Sequence, residues 1–298
     1  PHLLADAWVR AVKQFPAEQE AIWTLGYRGR HDRPFWTDDK SAPPNDADRA
    51  RAIRAAIDRQ IEIVRRERPQ PYFLMNAWME AVPLIQKGLL KMPEGVTLVW
   101  PDNGHGLIRD EGAISRGQGV YYHTAMYNSR ANQLTEMVPL DRIRRELGRA
   151  AKAGATEYLL VNTSDFRPVP LTTRAVMELA WNARSWIEQG PAQSSVYLRK
   201  WSQEEFGERA ATGVAEFYRA YFEAPARFGE REDQVLGDNY YHTLSRDLLV
   251  RLIKENTTAP ITYLLGITGL REYASQSAGI CRQANPRWEK ARLLARKA

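Results

Sequence analysis

The chain has 298 residues, of which 44% are hydrophobic and 26% are charged, so it can bury a sizeable core and lacks the composition of a disordered segment. No apolar run approaches the ~20 residues of a membrane helix, and the best candidate spans only residues 261–267. The single cysteine, Cys281, excludes an internal disulfide framework and a cysteine-based zinc site. The formal net charge is +6, but most arginines stand among acids, which is typical of solvated helix faces.

Five short, β-rich apolar runs occur in the first 165 residues, and stretches of helical period lie between several of them. The runs are Ala21–Leu25, Tyr72–Ala77, Val96–Trp100, Gly119–His123 and Tyr158–Val161. Residues 49–66 place Ile53, Ile57, Ile61 and Val64 on one helical stripe, and residues 140–153 form a second stripe. This alternation of strand and helix predicts parallel strands joined by right-handed crossovers.

Polar residues gather just after the predicted strands. They include Arg28, Asp32, Glu80, Asp102, Asn103, His123, Asn162 and Asp165. In a (β/α)8 barrel the carboxyl ends of the strands form the rim on which active sites are built, and a doubly wound sheet also places its site at strand carboxyl ends. Both architectures therefore agree with this pattern.

We predict an α/β fold of the (β/α)8 TIM-barrel type with only about five βα units, followed by a helical domain. Five strands cannot close a barrel of eight, so the first strands would come from sequence before Pro1. The chain begins without methionine or a signal peptide, and we expect either processing or a segment of a longer protein. Beyond about residue 190 only helical patterns follow. The predicted domains are thus the C-terminal portion of the barrel, 1–190, and an α-helical domain, 191–298.

Asp32 and Glu80 are two carboxylates on neighbouring strand-end loops, as glycoside hydrolysis requires: one protonates the leaving oxygen, and the other activates water or attacks the sugar. The structural alternative is that Asp32 caps a helix or pairs with Arg28, while Glu80 caps the helix that starts near Met79. Arg28, in a turn flanked by glycines, could hold a ligand carboxylate in a bidentate fork or simply brace Asp32.

Other chemistries find little support in the sequence. His31, His105 and His123 lack metal-ligand spacing, so we expect no metal and no other cofactor. The glycine pairs match neither a dinucleotide nor a P-loop fingerprint, and no Gly-x-Ser-x-Gly elbow is present. Tryptophans in or just past the strands, Trp100 among them, could stack on sugar rings, although core packing is the commoner role.

Several motifs, in order, resemble the family 115 glycoside hydrolases, the xylan α-1,2-glucuronidases. Leu25–Asp32 resembles that family's Gly-Met-Arg-Gly-x-x-Asp segment, and Trp78–Val82 resembles Tyr-Lys-Glu-Val. Val96–Asn103 resembles the strand that leads into Asp-Asp-Asn. Two further segments, Gly119–His123 and Val161–Pro168, also match, and the resemblance covers about residues 20 to 190.

The resemblance implies an inverting hydrolase that removes glucuronic or 4-O-methylglucuronic acid side chains from xylan-like polysaccharide, without a metal. Glu80 would be the general acid and Asp32 the general base, although the two roles could be exchanged, and Arg28 would meet the uronate carboxylate. The expected substrate-binding residues are Arg28, Trp100, Asp102, Asn103, His123, Tyr127, Asn162 and Asp165. Family relatives also imply a periplasmic or secreted location and a homodimer formed through the helical region.

Two other classes of function stay open at this stage. Gly104 stands where the family has asparagine and Met126 where it has tyrosine, so a non-catalytic or divergent relative that binds uronic-acid-containing carbohydrate is the alternative. A nucleic-acid partner is suggested only by the isoelectric point near 9.4, and a positive field suits an anionic uronate equally well. We expect neither a nucleic-acid nor a membrane partner.

Overall fold

The computed structural model describes residues 2–16, 18–30, 33–125, 127–128, 131–132, 135–226, 248–254 and 269–298. Its contacts divide the chain into two compact units. The first comprises residues 1–102, 108–121 and 150–160, and the second comprises residues 103–107, 122–149 and 161–298. The predicted domain boundary near residue 190 stays a prediction. Among the described residues, no helix is both long enough and apolar enough to cross a bilayer.

The strands of the main sheet match the five predicted runs. They are β1 (Ile22–Leu25), β2 (Tyr72–Asn76), β3 (Val96–Pro101), β4 (Gly119–His123) and β7 (Tyr158–Asn162), and a separate two-stranded ribbon is formed by β5 (Tyr127–Asn128) and β6 (Ala131–Asn132). The order in the sheet is β1-β2-β3-β4-β7, and β1 to β4 pair in parallel. The order never reverses, as it would in a doubly wound sheet, so the predicted fold class is confirmed: a partial α/β barrel followed by a helical region.

Helices alternate with these strands. They are α1 (His2–Lys13), α2 (Phe35–Asp38), α3 (Asp46–Glu67), α4 (Ala81–Gln86), α5 (Leu140–Lys152) and α6 (Pro170–Trp181). The predicted stripe of α3 is buried, and Asn45 caps the helix by accepting a hydrogen bond from the Asp48 backbone N–H. Apolar side chains on one face of the sheet, including Phe73 and Met75, pack with α3 residues such as Ile57 in a single core.

Successive side chains of a strand point to opposite faces of the sheet, so alternate residues lie on the face that α3 does not cover. Because Phe73 and Met75 point into the core, Leu74 and Asn76 point to the opposite face. Asn76 is paired with Val99 on β3, and Val99 is paired in turn with the first residue of β4. In a barrel this second face is the interior, and its upper end lies beside the loops that follow the strands.

Beyond α6 the described residues form helices and the short connections between them. The helices are α7 (Ala183–Glu188), α8 (Ala192–Phe206), α9 (Glu208–Glu223) and α10 (Leu270–Lys297). Trp201 on α8 packs edge-on against Tyr218 on α9, with ring centroids 5.4 Å apart. Arg287 on α10 donates to the carbonyls of Ala224 and Pro225, just past the end of α9. A cation at this position satisfies carbonyls that the helix itself leaves without partners.

Candidate active site

Arg28 and Glu80 form an ion pair at the carboxyl ends of β1 and β2. Arg28 Nε donates to Glu80 Oε1 at 2.5 Å, and Nη2 reaches Oε2 at 3.3 Å, so the guanidinium meets the carboxylate with two nitrogens. The side chains are 22% and 7% exposed, respectively. A carboxylate this well buried is stable as an anion because it has such a partner. The pair therefore gives both oxygens of Glu80 a charged partner in this structure.

Two aromatic rings extend the surface beside the ion pair. The Arg28 guanidinium lies over the Trp78 ring, 5.2 Å from its centroid. Trp78 in turn meets Tyr121 of β4 edge-on, with centroids 5.5 Å apart. A cation over an aromatic face is weakly attracted to it, so this contact favours the observed position of the guanidinium. The arrangement joins a charged group that recognises anions to rings of the kind that stack on sugars.

The segment that carries Arg28 is anchored at both ends. Gly26 has φ +150°, a conformation that side-chain-bearing residues rarely adopt, and its backbone N–H and C=O both bond to the side-chain amide of Gln60 on α3. At the other end the Gly29 N–H donates to the Arg33 carbonyl at 2.8 Å, and a Cβ on Gly29 would lie 2.9 Å from the Pro34 carbonyl oxygen. Arg28 is thus presented by a short, defined turn.

Asn76 lies on the same sheet face, two residues before Trp78. Its side-chain Oδ1 is buried and has no hydrogen-bond partner among the described residues. A buried amide oxygen without a partner costs free energy, and such groups in native proteins commonly await water or a ligand. Asn76 therefore adds a polar group to the end of β2 near the ion pair.

Trp100 and Asp102, both expected to bind substrate, are buried at the end of β3. Trp100 is paired with Val120, and the next pair along these strands is Pro101 with Tyr121. Because successive side chains point to opposite faces, the Trp100 ring points to the core side of the sheet and the Tyr121 ring to the other side. It is 1% exposed, and its indole N–H donates to Gln118 Oε1 at 2.7 Å. The structure does not bring Trp100 to the Arg28–Glu80 pair. Asp102 is also buried, and its backbone N–H donates to the Tyr121 carbonyl.

The second unit contains the remaining expected substrate-binding residues. Asn103 Oδ1 accepts from the backbone N–H groups of His105 and Leu107, so this oxygen fixes the 103–107 turn. His123 is buried at the end of β4. Asn162 ends β7, and its Oδ1 accepts from the Ser164 N–H. Asp165 and Tyr127 complete the set: Asp165 is exposed and accepts from the Arg167 N–H, and the Tyr127 side chain lies outside the described residues.

The proposed partner carboxylate, Asp32, lies outside the described residues, as does His31. For Glu80 the structure separates two possible local roles. It occupies the position before α4, yet its side chain makes no capping hydrogen bond to that helix. Its oxygens instead face Arg28. Among the described residues, no group of three or more His, Cys, Asp and Glu side chains is placed to hold a metal ion.

One buried carboxylate of the second unit plays a different part. Glu136 accepts hydrogen bonds from the Leu171 and Thr172 N–H groups and from the Thr172 hydroxyl, at the start of α6. Burial raises the pKa of Glu136 to about 7, and these hydrogen bonds oppose that shift only in part. The Tyr221 hydroxyl of α9 donates to the Glu136 carbonyl. Glu136 thus stabilises the start of α6 rather than the strand-end site.

Sequence reasoning missed Gln60 and Asn76, and it named Trp78 as the start of the motif Trp78–Val82 without a contact to Arg28. A signal for Gln60 exists, because it is a polar residue at a position on the apolar stripe of α3. Asn76 is the one amide in the otherwise mostly apolar run Tyr72–Ala77, which is a weaker signal. The sequence does not show that Gln60 bonds to Gly26, or that Asn76 Oδ1 is without a hydrogen-bond partner among the described residues.

A parallel strand-end rim that carries a buried carboxylate, an arginine and aromatic rings is the setting in which barrel glycoside hydrolases build their sites. The model of glycosyl hydrolase family 115 matches residues 1–230, and the chain belongs to this family. It is also similar in fold to a solved family 115 4-O-methyl-α-glucuronidase described as specific for decorated arabinogalactans, with a TM-score of 0.64 and 20% sequence identity. The match covers 93% of this chain and 36% of that enzyme, so the chain spans about a third of its length. No curated protein sequence matches significantly.

Proposed function

We propose that this chain forms part of an α-glucuronidase-like glycoside hydrolase that removes glucuronic or 4-O-methylglucuronic acid side chains from a xylan-like polysaccharide. The observation that carries the proposal is the Arg28–Glu80 pair over Trp78. A guanidinium recognises a uronate carboxylate, a carboxyl group performs acid–base chemistry, and an aromatic ring supports the sugar. Membership of family 115 supports the same assignment.

In the proposed reaction the uronate carboxylate competes with Glu80 for Arg28. Both Glu80 oxygens face the guanidinium in this structure, so Glu80 reaches the glycosidic oxygen as general acid only after the substrate has drawn the guanidinium away. Glu80, which takes a proton from solvent, then donates it to the glycosidic oxygen as the bond between that oxygen and the anomeric carbon breaks. Asp32 accepts a proton from the attacking water, whose oxygen bonds to the anomeric carbon. One water is consumed, and the uronic acid leaves with inverted configuration.

The same ion pair also fits a second function, binding without hydrolysis. If Glu80 serves only to orient Arg28, the site would capture uronic acids and release them unchanged. Gly104, where the family has asparagine, supports this alternative because its φ of +85° belongs to a tight turn and it supplies no side chain to a ligand. The two functions differ in one measurable product, free uronic acid.

The first test replaces each carboxylate in the full-length protein with its amide. We expect Glu80→Gln and Asp32→Asn each to lower the release of uronic acid from aldouronic oligosaccharides by about 10²- to 10⁴-fold, the usual contribution of a general acid or base. Glu62→Gln, an exposed change on α3, should leave turnover unchanged. Chromatography of the products measures all three.

Full activity in both amide variants would reject this mechanism. Binding of the oligosaccharides by the unaltered protein with no uronic acid released would instead favour the non-catalytic alternative. Circular dichroism spectra that match the unaltered protein ensure that lost activity reflects chemistry and not unfolding.

A further inference from the structure

We propose that Gln60 is a positioning residue: its side-chain amide holds the backbone of Gly26 and thereby places Arg28 for recognition of the uronate carboxylate. This inference rests on the proposed function, but the contact itself can be tested without it. Gln60 belongs to α3, a 22-residue helix, and lies 34 residues from Gly26 in sequence.

The position of Gln60 on α3 is one that packing alone would give to an apolar residue. At about 100° per residue, Gln60 projects within about 60° of Ile53, Ile57 and Val64 on the helical surface, and all three of those side chains are buried. Gln60 is partly buried there, so its side chain loses part of its contact with water, which is unfavourable unless hydrogen bonds replace it. Gln60 has those hydrogen bonds, and both go to a single residue.

The side-chain amide of Gln60 bonds to the backbone N–H and C=O of one residue, as the backbone of a neighbouring strand would. Gly26 N–H donates to Gln60 Oε1 at 2.9 Å, and Gln60 Nε2 donates to the Gly26 carbonyl at 2.8 Å. Leu25 is the last residue of β1 that pairs with β2, so Gly26 is where the chain leaves the sheet and loses its neighbouring backbone. The amide of Gln60 takes over at that point and satisfies both backbone groups.

Arg28 comes two residues after this anchor and one before Gly29, whose N–H is held by the Arg33 carbonyl. The Arg30 N–H adds a bond to Asp38 Oδ2 at 3.2 Å. Two nitrogens of the Arg28 guanidinium contact the Glu80 carboxylate, and such a bidentate contact tolerates little displacement. The position of the Arg28 backbone must therefore be well defined. Without Gln60 the first anchor is lost, and the arginine samples a wider range of positions.

The closing experiment compares Gln60→Leu with Ile57→Val, a core change one turn earlier on the same helix, in the full-length protein. In Gln60→Leu we expect the Gly26 amide to exchange with deuterium faster by about tenfold or more, with no such change in Ile57→Val. In Gln60→Leu we also expect a weaker preference for an aldouronic acid over its methyl ester. The ratio of the two kcat/KM values, acid to ester, should fall by about tenfold. Loss of general stability would not produce this selective change.

A third variant provides rescue. In Gln60→Glu at neutral pH a carboxylate would face the Gly26 carbonyl, and the loop should open as in Gln60→Leu. Near pH 5 or below, about where a glutamate becomes protonated, its carboxylic acid offers one acceptor and one donor as the amide does, so protection should return in part.

Two results would overturn the inference: a Gly26 amide as protected in Gln60→Leu as in the unaltered protein, or equal loss of protection in Ile57→Val. If the unaltered protein neither binds nor cleaves aldouronic acids, the proposed function fails. The exchange measurement alone then decides whether Gln60 holds the Arg28 segment.

Discussion

Glu80 and Arg28 depend on each other, which governs how either can be altered. Removing one partner of a buried pair leaves the other as an uncompensated charge and costs several kcal/mol, so alanine at either position would confound stability with activity. An amide at position 80 also removes the charge, but it keeps the shape and one oxygen that can accept a hydrogen bond from Arg28, so it disturbs the pair less than alanine does. Lysine at position 28 is not a conservative change, since an ammonium cannot reproduce the two-nitrogen contact.

A residue-scale prediction concerns Asn76, whose buried Oδ1 has no hydrogen-bond partner among the described residues. Asn76→Leu replaces this amide with an apolar side chain of similar size, so the free energy of unfolding should rise by about 1 kcal/mol. If the amide contacts the ligand, affinity for aldouronic acid should fall in the same variant. Urea denaturation measures the first effect, and calorimetric titration measures the second.

The matched control is Thr97→Val, a polar residue on the same face of the sheet that has a partner. Thr97 Oγ1 lies 3.0 Å from the Tyr72 hydroxyl, so its replacement should bring no gain in stability. If Asn76→Leu instead destabilises the protein, the amide has a structural role, and its contribution to ligand binding is no longer supported.

For individual residues, the sequence predicts which loops carry the candidate site residues but not which side chains contact each other. Arg28 and Glu80 were identifiable because polar residues after strands stand out against apolar runs. The orientation of Trp100 was not, because both faces of a barrel strand are apolar and the pleat could point its ring either way. Gln60 and Gly26 are brought together only by the packing of α3 on the sheet, which no local pattern specifies.

Helix α6 begins with an unusual cap supplied from outside the helix. Val169, at the N-cap position, makes no side-chain hydrogen bond, and Pro170 has no N–H. The next two N–H groups donate to Glu136 instead, which comes from a segment about 35 residues earlier. Hydrogen bonds and the helix dipole favour the charged carboxylate, whereas burial favours the protonated form.

The resulting pKa of about 7 for Glu136 predicts how stability depends on pH. The folded state holds a proton that the unfolded chain has already lost above about pH 4.5, so this stabilising contribution is complete at low pH. It declines as the pH rises through about 7, by on the order of 3 kcal/mol in total. Glu136→Gln cannot titrate, so its stability should vary less than that of the unaltered protein between about pH 5 and 8.

Urea denaturation at a series of pH values measures this difference. Glu178→Gln, on the same helix but partly exposed and paired with Arg174, should retain the pH dependence of the unaltered protein. If the curves for Glu136→Gln and the unaltered protein run parallel across the whole range, Glu136 is ionised throughout, and its hydrogen bonds outweigh the effect of burial.

For the whole molecule, the sequence predicted the existence and order of the strands more securely than their closure. Helical stripes and β-rich runs gave α3, α5 and the five strands of the sheet to within a few residues. Strand–helix alternation could not distinguish a barrel from a doubly wound sheet, since both obey the same crossover rule. Only the motif resemblance favoured the barrel, and the unreversed strand order then confirmed it.

The final prediction concerns the net charge of +6, which suggests affinity for polyanions in general. Along α3, however, arginines pair with acids three or four residues away, as in Arg54–Asp58 and Arg59–Glu62, so phosphates would meet mixed charges and no continuous basic stripe. We therefore expect only weak, sequence-independent binding to duplex DNA. Fluorescence anisotropy at about 0.15 M salt should give a Kd in the range of roughly 10⁻⁶ to 10⁻⁴ M or weaker. In the proposed function Arg28 contacts a single uronate carboxylate, so a glucuronic-acid-bearing oligosaccharide should bind with little difference between low and physiological salt. A nanomolar DNA complex that weakens steeply with salt would favour nucleic acid as the partner of this surface instead.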